Sequence, residues 1–210
     1  MDALAITPAA LTSMIIAVSF AAGLNVYATV CSLGLMARFG WITLPGHLGA
    51  LADTWVITAS GVLFLAEFVG DKIPAFDLVW NALHTFVRIP AAALMAYAAG
   101  ANLTPAQKLM VALAGGLVAA IAHSSKTAAR VAVTPSPEPV SNIALSATED
   151  VTAVGLTWFA THHPIATGVT VAIIAAGLIW TLRYTVRTLR RWFRGESRTA
   201  APTGLARPHR

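Results

Sequence analysis

An all-α, polytopic membrane protein of about six transmembrane helices, some of them broken, is the fold class this sequence predicts, and three observations carry it. Hydrophobic residues make up 57% of the 210-residue chain, above the roughly 45–50% of soluble domains. Only 11% of residues are Asp, Glu, Lys or Arg, against about 25% in an ordinary globular domain, too few to cover a water-facing surface. At about 20 residues per span, the apolar runs and the turns between them fill the chain and leave no room for a separate soluble domain.

Charge divides the chain in two. From Arg183 onward there are eight Arg and one Glu, net +7, whereas the preceding 182 residues carry six basic and eight acidic side chains, net −2. Residues 1–182 are therefore read as the transmembrane domain and 183–210 as a basic, amphipathic cytoplasmic tail. Because the tail adjoins an apolar helix, an anionic membrane surface is its expected partner and nucleic acid is not. Cys31 is the single cysteine, which excludes an intrachain disulfide. The N-terminus lacks a basic region and is read as a retained first span.

The first span covers about Leu11 to Met36 and is interrupted by Gly23, Asn25 and Tyr27. Two readings stay open: a broken helix whose freed backbone groups line a polar site, or a tilted helix with Asn25 bonded to a neighbour. Gly40 to Asp53 is expected to be a loop with a Pro45-Gly46 turn. The second span, about Trp55 to Val69, is short and ends at Gly70, Asp71 and Pro74. Glu67, Asp71 and Lys72 lie close enough in sequence to form an ionisable cluster, and Asp77 follows the break. Three carboxylates against one lysine leave negative charge in excess, which suggests a bound cation, shared protons or a basic partner elsewhere in the chain.

The third span, about Phe76 to Ala99, repeats Trp80, His84 and Arg88 at four-residue spacing, one helical face, with Pro90 as a potential kink. The fourth, about Lys108 to Val133, has Gly115 and Gly116 for close helix approach. Its second half carries His123, Lys126 and Arg130, and the two basic residues face one way, suited to neutralising the carboxylates or gripping an anionic substrate. Thr134 to Asn142 has three prolines in nine residues and is not expected to be helix interior. Beyond it stand Glu149 and Asp150, and Ser146 with Glu149 has the spacing of a capping box. His162 and His163 fall in a turn. The last span, about Ile165 to Tyr184, passes into an Arg-rich surface segment with Trp192 and Phe193, and the final residues read as disordered.

Charge bias puts the tail, and with six spans both termini, in the cytoplasm. ITPAALTSMIIAVSFAAGLNVYATV near the start and LTPAQKLMVALAGGLVAAIAHSSKTAARVAV in the middle each open on Thr-Pro and run into a polar centre. Two inverted three-helix repeats, an architecture common in secondary transporters, would produce that echo.

At GLNVYAT (Gly23 to Thr29), EFVGDKIPAFD (Glu67 to Asp77), HTFVRIP (His84 to Pro90), AHSSKTAAR (Ala122 to Arg130) and SPEPVSNIALSATED (Ser136 to Asp150), the chain resembles the bacterial integral-membrane family catalogued as domain of unknown function 4126. The resemblance implies a polytopic protein of the bacterial inner membrane. It implies no activity, substrate or catalytic residue.

Charges at membrane depth cost about 2.5–3.5 kcal/mol each even on the mildest insertion scale and normally mark function. Glu67, Asp71, Asp77, Arg88, Lys126, Arg130, Glu149 and Asp150 are accordingly expected to converge on one polar cavity, with Asn25, Tyr27 and Asn142 as neutral contributors. Its expected occupant is an ion, a proton-coupled solute or an anionic lipid headgroup, membrane lipids being partners in any case. The favoured function is transport or translocation of a solute or lipid. The alternatives are a membrane enzyme acting on lipid phosphates, with carboxylates holding a divalent cation and His84 or His123 moving a proton, and a non-catalytic scaffold. No catalytic residue or metal ligand is assigned, and assembly into a homo-oligomer stays open.

Overall fold

The computed structural model describes residues 7–72, 74–133 and 139–199, with side chains except at 74–78, 131–133, 139–142, 182, 185 and 188–199. Among the described residues there are seven α-helices and no strand: α1 (Pro8–Leu24), α2 (Val26–Arg38), α3 (Thr54–Gly70), α4 (Pro74–Ala99), α5 (Pro105–Val133), α6 (Pro139–His162) and α7 (Pro164–Thr199). Five of them open on proline, which suits the first helical position because its fixed φ matches the helix and its missing N–H would be unpaired there anyway. Side chains complete the starts. Thr7 Oγ1 accepts from Ala10 N at 3.2 Å and Asp53 Oδ1 from Trp55 N at 2.8 Å. Thr104 and Gln107 cap each other reciprocally, with Thr104 N donating to Gln107 Oε1 at 3.0 Å and Gln107 N to Thr104 Oγ1 at 3.4 Å.

The chain divides into two compact units, Met1–Ala175 and Ala176–Arg210. At the centre of the first lies α1, buried continuously from Ala17 to Leu24 and packed against α4, α5 and α6. A helix buried all round must be apolar all round, and small side chains bring its neighbours close. A Cβ added to Gly23 would collide with the backbone carbonyl of Ala119 on α5, and one added to Gly115 would stand 2.7 Å from Ala96 Cβ and 2.8 Å from Ser19 Oγ. The close approach expected of Gly115 is thus made, simultaneously with α4 and α1.

Outside, the polarity is that of lipid rather than water. Trp55, Leu65, Phe86, Leu94, Leu113 and Val151 are exposed, Phe86 to 81%, while Glu67, Asp71, Arg88 and Arg130 are 0% exposed. Three segments are long and apolar enough to cross a membrane, Val79–Ala99, Pro105–Arg130 and Pro164–Thr181, with the shorter apolar helices α1 and α2 beside them. A fourth candidate pairs a 3₁₀ helix, Gly46–Ala52, with α3 across a 71° bend; the Gly40–Asp53 stretch is therefore not the plain loop expected from its Pro-Gly turn.

The first apolar run does break, at Asn25, whose φ of −150° and ψ of 102° separate α1 from α2. Pro90 lies inside α4 without ending it. The Pro-rich stretch yields to helix at Pro139, while 134–138 and the terminal 200–210, expected to be disordered, lie outside the described residues. In the second unit the chain stays helical to Thr199, Trp180 and Tyr184 stack at 5.8 Å, and Arg183 and Arg187 are exposed.

Candidate functional site

The break at Asn25 builds the first wall of the site. Asn25 Oδ1 caps α2 by accepting from Ala28 N at 2.9 Å, which turns its Nδ2 to donate to Asp150 Oδ1 at 2.8 Å. Ending α1 also leaves the Leu24 carbonyl near the break, where it accepts from Lys126 Nζ at 3.3 Å. Both readings of this segment are realised at once: the helix is broken, and Asn25 is bonded to a neighbour.

Helices α3, α5 and α6 supply an interlocked set of charges. Lys126 Nζ lies 3.3 Å from Glu67 Oε1, 3.4 Å from Asp71 Oδ2 and 3.3 Å from Glu149 Oε2. One turn further along α5, Arg130 Nη2 pairs with Asp71 Oδ2 at 2.9 Å and Glu149 Oε2 at 2.6 Å, while its Nε donates to Glu149 Oε1 at 3.3 Å. The guanidinium thus grips Glu149 with two N–H groups, the geometry for which Arg is better suited than Lys. Its Nη1 donates to the Asp71 carbonyl at 3.2 Å, closing the C-terminus of α3. On the other side Glu67 Oε1 pairs with Arg88 Nη2 from α4.

From Arg88 a neutral chain continues. Arg88 Nη1 donates to Asn81 Oδ1 at 3.4 Å and meets His123 Nδ1 at 3.3 Å. Because a guanidinium only donates, Nδ1 is the acceptor, so the hydrogen of the neutral ring sits on Nε2 and points to Thr85 Oγ1 at 2.8 Å. His84 is oriented through Nδ1 by the Trp80 carbonyl at 2.8 Å, leaving Nε2 to Tyr27 OH at 3.1 Å.

Of the residues expected to converge, Glu67, Asp71, Arg88, Lys126, Arg130 and Glu149 form one contact network, Asn25 and Asp150 bond each other beside it, and Tyr27 bonds His84, one turn before Arg88 on α4. The side chains of Asp77 and Asn142 lie outside the described residues. One expectation is corrected and one alternative falls away. Lys72 does not join the cluster: its Nζ donates to the Phe68 carbonyl at 2.6 Å and sits 3.1 Å from the Phe68 ring centre, satisfied by its own helix end. Ser146 and Glu149 do not cap a helix, because α6 begins at Pro139 and Ser146 lies in its third turn; Glu149 is turned instead to α5. Asn81 and Thr85 were not among the expected site residues, and His123 was named only as a proton carrier in the enzyme alternative. Their signal was spacing, since Asn81, Thr85 and Arg88 recur every three or four residues on α4, as do His123, Lys126 and Arg130 on α5.

Among the described residues the cluster holds four carboxylates, Glu67, Asp71, Glu149 and Asp150, and three cations, Arg88, Lys126 and Arg130, none more than 6% exposed. Among the described residues no group of three or more His, Cys, Asp or Glu is arranged to hold a metal ion. The arrangement suits exchange of ion-pair partners or of protons.

Helices apolar on the outside and interlocked by charge within define a helical membrane protein with a buried ionic centre. The chain belongs to the family described as Domain of unknown function (DUF4126), which matches it over residues 12–184. No curated protein and no solved structure matches it.

Proposed function

We propose that the protein is a transporter or translocase of a solute or anionic lipid, with the Glu67–Asp71–Arg88–Lys126–Arg130–Glu149 network as its intramembrane site. One observation carries this reading: six mutually paired charges lie buried between helices whose outer faces are apolar. Burying an ion costs several kcal/mol after relaxation, and an apolar core of equal volume is often as stable or more so. A network kept at that cost suits a site where an anionic substrate displaces a carboxylate from Lys126 or Arg130. In the occluded arrangement described here the carboxylates occupy those positions themselves.

The proposed topology has six spans: α1 with α2, the bent pair ending in α3, then α4, α5, α6 and α7, with both termini on the cytoplasmic side of a bacterial inner membrane. An inverted repeat is supported by Thr7-Pro8 and Thr104-Pro105, which open α1 and α5 alike and lead to polar centres that meet at Leu24 and Lys126.

The same pairing favours one rival, a scaffold in which the network locks the helices. Purified protein in liposomes, loaded with candidate ions or labelled lipids, separates the two. Vectorial flux that Arg130→Gln abolishes in folded protein supports transport. Absence of flux across the panel, with Arg130→Gln lowering only stability, supports the scaffold.

A further inference from the structure

We infer that Asp150 holds an exchangeable proton on Oδ2 and that this proton is the coupling ion of the site. The inference rests on the transport reading and names its ion. Among the described residues, Asp150 is the one carboxylate of the cluster outside the ion pairs: it is 5% exposed, its Oδ1 accepts from Asn25, and its Oδ2 has no hydrogen-bond partner. One turn earlier on the same helix face, Ser146 Oγ is also buried and without a partner. Protonation of Oδ2 removes the charge from a buried oxygen that nothing solvates, whereas the ionised carboxylate would have only the Asn25 donor, on Oδ1.

The described residues around it supply no cation in its place. Lys126 has three N–H donors and already faces four acceptors at 3.3–3.4 Å, namely Glu67, Asp71, Glu149 and the Leu24 carbonyl. Arg130 is committed to Asp71 and Glu149, and Arg88 to Glu67. Glu67 and Asp71 from α3 add negative charge near Asp150, opposed by Lys126 from α5. Of the other helices packed on α6, α1 brings no charged residue; α2 brings Tyr27, bonded to His84, and Arg38, bonded to the Ala52 carbonyl at its far end.

Asn25 determines which oxygen is protonated. With its Oδ1 held by Ala28 N, its amide cannot flip, so it always donates to Asp150 Oδ1 and the proton is confined to Oδ2. Binding forms one O–H bond with a proton drawn from the aqueous phase, and release breaks it. Among the described residues, four carboxylates against three cations become three against three, so protonation lowers the net charge that reopening would expose.

Infrared difference spectroscopy of the protein in lipid nanodiscs, taken across an acid-to-alkaline jump, tests this directly. The wild type is expected to show a protonated-carboxyl C=O band that titrates and that is lost in Asp150→Asn, a shape-conserving copy of the protonated form. In Asp150→Glu the band should move in frequency, which keeps the test alive if the asparagine variant does not accumulate. A band unchanged in either variant, or no titrating carboxyl band in the wild type, overturns the proposal, as does a sodium-dependent change in place of a pH-dependent one. The transport reading fails separately: a band lost in Asp150→Asn with no flux of any tested solute leaves the proton site standing, whereas flux with the same pH dependence in Asp150→Asn leaves transport standing and removes Asp150 as its coupling group.

Discussion

Lys126 is the residue most of the ionic network shares. Its ammonium bridges Glu67 on α3 and Glu149 on α6 while reaching the Leu24 carbonyl freed by the break in α1. Lys126→Met removes one cation from among three buried carboxylates, and breaking a buried pair from one side typically costs 3–5 kcal/mol, so about that loss is expected in a denaturation series in detergent. Adding Glu67→Gln should recover at least about 1 kcal/mol of it, as neighbours in one ionic network couple by 0.5–3 kcal/mol; strict additivity of the two losses would place the residues in separate environments. Sequence spacing was enough to put Lys126 and Arg130 on one face of a helix and to nominate six residues that do meet. It was not enough for Ser146. The S-x-x-E pattern is local and reads as a cap, but the partner that claims Glu149 is Arg130, across the gap between α5 and α6, and no local pattern carries that contact. Asn81 was passed over for a related reason: a neutral polar residue in an apolar helix acquires a role only when a particular charge, here Arg88, is brought against it.

Helices hold this arrangement by how closely they pack, and the glycines differ sharply in what they permit. Gly23 faces the Ala119 backbone and Gly115 faces Ala96 and Ser19, whereas nothing lies within 4 Å of a Cβ added at Gly155. Alanine at Gly23 or Gly115 should therefore cost about 1–3 kcal/mol through overpacking, and alanine at Gly155 in α6 should gain about 0.5–1 kcal/mol by restricting the unfolded chain. Thermal melts of the three variants check the contrast, and equal shifts would contradict the packing of α1 between α4 and α5. The break at Asn25 offers a second test at this scale. Asn25→Ala removes the cap of α2, worth about 0.5–2 kcal/mol, and also the donor to Asp150, so its loss should exceed that of Thr7→Ala, which removes a cap alone. The position of this break was legible because Gly-Leu-Asn-Val-Tyr interrupts an otherwise apolar run. The 71° bend before α3 was not, because Pro45-Gly46 signals a turn but says nothing of the 3₁₀ helix that follows.

At the scale of the whole chain, orientation decides from which side the ionic centre is reached. Eight arginines and one glutamate follow residue 182, and each basic residue near an anionic surface contributes about 1 kcal/mol, so the tail should stay in the cytoplasm. Six spans then place the ends of α3 and α5 and the start of α6 on that same side. Asp71 caps the end of α3, and Lys126 lies seven residues before the end of α5 at Val133, roughly 10 Å along a helix at about 1.5 Å per residue. Glu149 shares Arg130 Nη2 with Asp71, at 2.6 and 2.9 Å, so α6 brings Glu149 and its neighbour Asp150 to the level of the end of α3. On the proposed topology this compact cluster is reached from the cytoplasmic ends of α3 and α5. Accessibility tags at Gly46, Asn102 and His163, in the three turns on the opposite face, are expected to label from outside in intact cells. Labelling of all three only after permeabilisation would reverse the orientation and open the cluster outward, and labelling split between the two sides would break the six-span count itself. Replacing Arg183 and Arg187, both exposed, with glutamine should weaken the orientation bias and lower the inserted amount while leaving flux per correctly inserted molecule unchanged, because neither residue belongs to the ionic centre.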